Sequence, residues 1–85
     1  MIKAVEVNLY MKDIKVICPT LRSATESFRR FCDKNHLCIS KAYRSNCRVE
    51  LINGVNVYFV ATQRELLGWH GATVSIDEFP MEANL

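Results

Sequence analysis

The regular alternation of apolar and polar residues is clearest on the two sides of Asn53-Gly54. Residues 48–52 and 55–60 both place an apolar side chain at every second position, as a strand with one buried face does. The Asn-Gly pair supplies the positive φ angles that a two-residue type I′ turn requires. The pattern therefore predicts a β-hairpin, with the turn at these two residues.

A helical period replaces this alternation in residues 23–35. One apolar stripe consists of Leu21, just before this segment, with Ala24, Phe28, Phe31 and Cys32. Ser23 and Glu26 have the spacing of a capping box, in which each side chain accepts a hydrogen bond from the other residue's backbone. We therefore expect the main helix of the chain in residues 23–35.

Shorter apolar runs predict three more strands, in residues 14–18, 37–43 and 72–76. Thr62 and Glu65 have the spacing of a second capping box, for a helical turn that Gly68 ends. Residues 1–10 fit both a strand and one face of a helix. The order of elements predicts an α/β or α+β fold, with a short sheet, a β-hairpin and one main helix in a single domain over residues 1–85.

Composition places the chain among ordinary globular domains. Its 85 residues are 49% hydrophobic and 24% charged, which argues against disorder. No apolar run approaches the roughly 20 residues that cross a bilayer, and no secretory signal is recognisable at the start of the chain. We expect a soluble, non-exported protein with no membrane association. A net charge of +2 is too small to indicate nucleic-acid binding by itself.

The cysteines and histidines form no common ligand pattern. Cys32, His36, Cys38 and Cys47 could be assembled into a zinc site, but their spacing matches no familiar zinc motif. Without an export signal we expect the four cysteines to be reduced thiols. His70 follows a tryptophan in a loop, where a structural role is the more common one.

Two adjacent carboxylates, Asp77 and Glu78, end the last predicted strand, and Pro80 follows them. In open α/β sheets, ligands bind at the carboxyl ends of strands. In nucleotide hydrolases an Asp at such a position helps to hold Mg²⁺, and a neighbouring carboxylate orients or deprotonates the attacking water. The alternative is that the pair merely ends the strand.

A larger pattern includes this pair. It consists of the Leu51-Ile52-Asn53-Gly54 hairpin, the small residue Ala61, a helical turn ending at Gly68, and the strand ending in Asp77-Glu78. This combination resembles the middle of the ATPase domain of the large terminase subunit, the DNA-packaging motor of tailed phages. The similarity is strongest from Arg48 onward. It extends more faintly to residues 16–20 and the following helix, which look like the strand and helix after the family's phosphate loop.

The resemblance implies a Walker B-like segment, with Asp77 as the Mg²⁺-associated residue and Glu78 as the catalytic glutamate. Leu67 departs from the family pattern, which commonly has Arg before the glycine. The sequence contains no Gly-x-x-x-x-Gly-Lys motif, so the Walker A loop is missing, as is the nuclease domain. We therefore expect no autonomous ATPase activity, and Mg-ATP binding only with another chain that completes the site.

The function that the resemblance implies is that of a phage-encoded, non-catalytic binding or regulatory protein in the cytoplasm of the bacterial host. Its partner would be the DNA-packaging motor or a host protein. Because the family places the Walker B strand between neighbours, a fragment would expose one strand edge, so we expect a protein partner or a homo-oligomer.

Four alternatives remain open. The chain could be an ATPase part that needs another chain's phosphate loop, or a gene remnant without function. It could be a small domain whose Asp-Glu pair only ends a strand. It could also be a small nucleic-acid-binding domain that uses Lys41, Arg44 and Arg48 near Tyr43.

Overall fold

A computed structural model describes residues 13–61 and 66–82 of the chain. Within these ranges it contains one helix and one five-stranded mixed sheet. In chain order the elements are β1 (Ile14–Ile17), α1 (Leu21–Lys34), β2 (Ile39–Tyr43), β3 (Arg48–Leu51), β4 (Asn56–Val60) and β5 (Ala72–Ser75). Short 3-10 turns, His36–Cys38 and Arg44–Asn46, flank β2. The predicted α+β fold, with one hairpin and one main helix, is confirmed.

The strands lie in the order β2-β3-β4-β1-β5. Strand β1 pairs in parallel with β4 on one side and with β5 on the other, while β2, β3 and β4 pair in antiparallel fashion. Because β1, β4 and β5 run in the same direction, their carboxyl ends meet at one edge of the sheet. This edge carries the predicted Asp-Glu pair.

Helix α1 covers one face of the sheet. Its Phe28 and Phe31 rings lie 6.4 and 5.7 Å from the ring of Phe59 on β4, measured between centroids. The most deeply buried large side chains on this side are Phe31, Ile14, Leu51, Val16, Val49 and Val57. The alternation along β1, β3 and β4 thus places most apolar residues under the helix and most polar ones on the opposite face, which also carries Ile17 and Val60. We call this second face the open face, because no helix or strand of the described residues covers it.

The helix begins two residues earlier than predicted, and its cap is a different residue. Thr20 is the N-cap: its Oγ1 accepts the Ser23 N–H at 3.0 Å, and Ser23 Oγ accepts the Thr20 N–H at 3.0 Å. The predicted box of Ser23 with Glu26 is therefore wrong. Thr20 directly follows Pro19 and has an extended backbone, so the chain turns into the helix as soon as β1 has ended.

The hairpin turn also differs from the predicted two-residue type. The Gly54 N–H donates to the Leu51 carbonyl at 2.9 Å, and the Leu51 N–H donates to the Val55 carbonyl at 2.8 Å. Of the Asn-Gly pair only Gly54 has a positive φ, of 92°, whereas a type I′ turn needs two such residues. The loop therefore spans three residues, and Asn53 instead accepts the Val55 N–H through its side chain.

Three other expectations concern segment boundaries. Strand β2 begins at Ile39 because Leu37, which is exposed, lies in the preceding 3-10 turn. The turn that ends at Gly68 is present, with the Trp69 N–H donating to the Leu66 carbonyl and a Gly68 φ of 74°. The expectations for residues 1–10 and 62–65 fall outside the described residues.

No helix in the described residues has the length and apolar character needed to span a membrane.

Candidate functional site

Asp77 and Glu78 lie in a tight turn directly after β5. The last ladder bond to β1 is donated by the Ile76 N–H to the Ile17 carbonyl, at 3.0 Å. The turn then closes as the Glu78 N–H donates to the Ser75 carbonyl at 2.9 Å and the Asp77 N–H donates to Ser75 Oγ at 3.3 Å. Both carboxylate side chains are exposed.

Phe79 fixes this turn to the core. Its side chain is only 5% exposed, and its ring lies 5.6 Å from that of Phe31 and 5.8 Å from that of Phe59. The buried Asn35 holds the chain further on, because its Nδ2 donates to the Met81 carbonyl at 2.8 Å as well as to the Phe31 carbonyl. The carboxylate pair thus sits on a turn that is anchored to the helix.

This arrangement provides two exposed carboxylates at the shared carboxyl edge of three parallel strands. Such oxygens can hold a hydrated Mg²⁺ or orient a water molecule. In the described part of the chain, no group of three or more His, Cys, Asp or Glu residues is close enough to hold a metal ion. The roles assigned to Asp77 and Glu78 therefore stay predictions. Either role would need further metal or phosphate ligands from outside the described residues.

The alternative zinc ligands are not brought together. Cys32, His36, Cys38 and Cys47 are all described, and they form no metal-binding group. His70 is exposed in the loop before β5. Neither the zinc set nor His70 forms a site in these ranges.

Strand β5 lies at the end of the sheet in the described residues, where it pairs with β1 alone. The Ala72 and Ile76 N–H groups donate to the β1-side carbonyls of Asp13 and Ile17. Because successive N–H groups of a strand point to opposite sides, those of Thr73 and Ser75 point away from β1. Val74 and Ile76 are half-buried against the helix side. The geometry is that of a strand edge that can accept a further strand.

The open face of the sheet carries a second feature, which we name the cation–aromatic row. It consists of Lys41, Tyr43, Arg48, Tyr58, Lys15 and Trp69. Tyr43 is paired with Arg48, Arg48 with Tyr58, and Tyr58 with Lys15 in the strand register. These four side chains therefore form a single line across β2, β3, β4 and β1.

Neighbours in the row are in contact. The Arg48 guanidinium carbon lies 3.8 Å from the Tyr43 ring centroid, and Lys41 Nζ lies 5.1 Å from the same centroid. At the other end, Lys15 Nζ lies 4.7 Å from the Trp69 ring and 5.9 Å from the Tyr58 ring. These distances are those of cation–π interactions.

Hydrogen bonds orient two side chains of the row, Arg48 in the middle and Trp69 at the end near β5. Arg48 Nη1 donates to Asn56 Oδ1 at 2.9 Å. Asn56 in turn donates its backbone N–H and its Nδ2 to Asp13 Oδ1, at 2.9 and 3.4 Å. At the end near β5, Trp69 Nε1 donates to the Ala72 carbonyl at 3.0 Å. These bonds orient two members of the row, Arg48 and Trp69, in the absence of a ligand.

The sequence identified only part of the row. The nucleic-acid hypothesis named Lys41, Arg48 and Tyr43, which the structure does place in contact. Its third cation, Arg44, instead lines a cleft between α1 and β2, on the helix side. Lys15 and Tyr58 were missed because only the pairing of β1 with β4 brings them together. Trp69 was missed because it contacts them from the loop before β5.

Comparisons with known proteins give no relative. No protein-family model matches the chain, and no curated protein and no solved structure matches it. The terminase resemblance and its P-loop interpretation therefore stay predictions based on the sequence motifs.

Proposed function

We propose that the chain is a phage-encoded, terminase-like protein that acts in the host cytoplasm by binding and has no ATPase activity of its own. Its partner is a protein, the large terminase subunit of the packaging motor, which adds a strand along the outer edge of β5. The observation that carries this proposal is the one-sided pairing of β5 in the described residues.

The chemistry of the edge supports strand addition. The outward N–H of Thr73 is aligned for a ladder bond to an incoming strand, and the Thr73 side chain is exposed. Val74 and Ile76 are incompletely covered on the helix side of the same strand. A partner's strand would add backbone hydrogen bonds and cover more of these apolar side chains.

The carboxylate turn supports a non-catalytic role. Phosphoryl transfer depends on positioning and on charge stabilisation of the phosphates, which Asp77 and Glu78 cannot supply themselves. The sequence has no Walker A motif, and in the described residues no third ligand lies near the pair. An exposed pair at the end of an edge strand is instead available for contact with a partner's basic or metal-bound groups.

The test is an edge block, Thr73→Pro, with Thr73→Ala as the matched control. Proline removes the outward N–H and adds a ring on the side that an incoming strand occupies, yet it is tolerated on edge strands. Alanine removes the side chain and keeps the N–H. We expect Thr73→Pro to weaken binding to the purified large terminase subunit about tenfold or more, from a lost hydrogen bond of roughly 0.5–1.5 kcal/mol plus the steric conflict, whereas Thr73→Ala binds as the wild type does.

Isothermal titration calorimetry gives the affinities, and circular dichroism checks that both variants fold. Equal affinities for the proline and alanine variants would show that the edge is not used. Absence of binding to the motor subunit would refute the choice of partner. Self-association that Thr73→Pro abolishes would assign the edge to a second copy instead.

A second candidate function is favoured by the exposed position of Asp77 and Glu78 beside the carboxyl end of β1. In this case another chain supplies the phosphate loop, and Glu78 acts on the attacking water. Mixing the chain with such a partner should then raise Mg²⁺-ATP hydrolysis, and Glu78→Gln should abolish that increase while leaving the association intact. Glu82→Gln, which changes an exposed carboxylate in the segment after the turn, is the control. An increase that survives Glu78→Gln would exclude this role.

A further inference from the structure

The cation–aromatic row crosses most of the open sheet face. From Tyr43 on β2 to Lys15 on β1 it spans three strand spacings, roughly 14 Å at about 4.8 Å each. Aromatic rings alternate with cations along this line, and at its end Trp69 packs against both Lys15 and the Tyr58 ring, whose centroid is 5.7 Å away. A surface of this length accommodates several units of an extended ligand.

The ligand chemistry that fits such a row has flat rings and negative charges. Bases of single-stranded nucleic acids stack on tyrosine and tryptophan rings and on the plane of an arginine guanidinium. The guanidinium of Arg48 lies at stacking distance from Tyr43 and is held there by Asn56. A base that stacks onto this pair meets side chains that are already ordered, which lowers the entropic cost of binding.

The charges on this face indicate where the phosphates would run. Lys15, Lys41 and Arg48 are the cations of the row. Among the described residues, the carboxylates near the row, Glu50 and Asp13, lie on one side of it. Glu50 is paired with both Asn56 and Lys41, and Asp13 accepts the hydrogen bonds of Asn56. A phosphate backbone therefore runs along the opposite side, toward the carboxyl ends of β1 and β4.

A cleft opens on that side of the row. It has a volume of about 390 Å³, and its lining includes Lys15 and Tyr58 of the row together with Ser45 and Asn46 of the 3-10 turn after β2. This volume lies in the range of small-ligand sites. The lining of the cleft also contains the apolar residues Leu21, Val60 and Ala61. The cleft can receive one nucleotide, with the base against Tyr58 and the phosphate near Lys15.

We infer that the cation–aromatic row and the adjoining cleft bind single-stranded nucleic acid, a function that is separate from the proposed binding of a protein at the edge of β5. The inference rests on the contacts, register and charges of the open face. It uses neither the Asp-Glu pair nor the terminase resemblance.

The experiment measures fluorescence anisotropy with labelled oligo(dT), oligo(U) and a blunt-ended DNA duplex over a series of salt concentrations. We expect both single strands to bind, more tightly than the duplex, because only unpaired bases can stack on the row. The logarithm of the affinity should fall with the logarithm of salt concentration by about 0.7 for each phosphate contact. The relative affinities for oligo(dT) and oligo(U) distinguish DNA from RNA as the preferred strand.

Three variants test the assignment to the row. Tyr43→Leu keeps an apolar side chain but removes a stacking ring, and we expect it to weaken binding about 5- to 100-fold. Lys15→Gln removes the cation beside the proposed phosphate position and should reduce the salt slope by about 0.7. The matched control is Lys34→Gln, which removes the same charge from an exposed position in the last turn of α1 and should leave both quantities unchanged.

Several results would overturn the inference. One is the absence of binding by the intact chain at low salt. Another is an equal effect of Lys34→Gln and Lys15→Gln without an effect of Tyr43→Leu, which indicates non-specific attraction. Equal affinity for the duplex would exclude stacking, and a dimer that Tyr43→Leu dissociates would assign this face to a second copy.

Discussion

Replacing Phe79 by leucine tests whether the carboxylate turn is anchored as the structure indicates. The Phe79 ring is 5% exposed and contacts two other rings, those of Phe31 and Phe59, at centroid distances of 5.6 and 5.8 Å. Leucine retains most of the apolar contact but removes both aromatic pairs. The change therefore isolates the part of the anchoring that depends on the ring.

The expected cost follows from these two contacts. An aromatic pair contributes about 0.5–1.5 kcal/mol beyond the apolar area it buries, so two pairs give about 1–3 kcal/mol. A domain of this size has a total stability of roughly 4–13 kcal/mol, taken from 0.05–0.15 kcal/mol per residue. Phe79→Leu should therefore remain mostly folded while losing a measurable part of its stability.

Urea unfolding followed by circular dichroism measures this loss. With an m-value of about 1 kcal/mol/M, the midpoint should fall by about 1–3 M and the m-value should stay constant. The control is Leu67→Ala, whose side chain is 84% exposed, and it should change stability by less than about 0.5 kcal/mol. Amide NMR shifts of Asp77 and Glu78 should move in Phe79→Leu alone. If Phe79→Leu were as stable as Leu67→Ala, the ring would not be the anchor.

Two further predictions concern the first part of the chain. Thr20→Ala removes the acceptor for the Ser23 N–H and should destabilise the protein by about 1 kcal/mol in the same urea assay, whereas Glu26→Ala should cost less, since Glu26 is outside the observed cap. Burial raises the pKa of the Cys18 thiol above its ordinary value of 9.0, against a smaller opposing effect of the Ser27 hydrogen bond. Because the folded pKa is the higher one, the contribution of this thiol to stability is complete below pH 9.0 and is lost as the pH rises through the folded pKa. Urea midpoints measured at increasing pH above 9.0 should therefore fall less steeply in Cys18→Ala than in the wild type. If the midpoints of the two proteins fell in parallel, the raised pKa of Cys18 would be contradicted.

The elements that the sequence predicted well are those with a strong local pattern. The alternation around Asn53-Gly54 and the apolar stripe of the main helix each involve residues close together in the chain. Burial of Ala24, Phe28 and Phe31 follows directly from that stripe. Asp77 and Glu78 were placed correctly after a strand for the same reason, since the strand and its end are read from adjacent residues.

The details that could not be predicted depend on a choice between two local structures of similar fitness, or on the pairing of strands that are distant in the sequence. Thr20 and Ser23 are both suitable caps by residue type, and the end of β1 at Ile17, followed by Pro19, decides between them. The Asn-Gly pair is compatible with two turn types, and the pairing of Leu51 with Val55 selected the longer loop. The cation–aromatic row requires the register of β1 against β4, which no local pattern contains.

The two proposed surfaces meet at one position of the sheet. Lys15 of the row is paired with Thr73 on β5, the residue whose outward N–H marks the strand edge. A strand added beside β5 would place its own side chain next to Thr73, in line with the row. A protein partner could therefore lengthen the nucleic-acid surface by one strand, and the two ligands would then bind cooperatively. Because Thr73 lies beside Lys15, single-strand binding by the isolated Thr73→Pro variant should be compared with that by Thr73→Ala, which keeps the edge N–H, before the two surfaces are tested together.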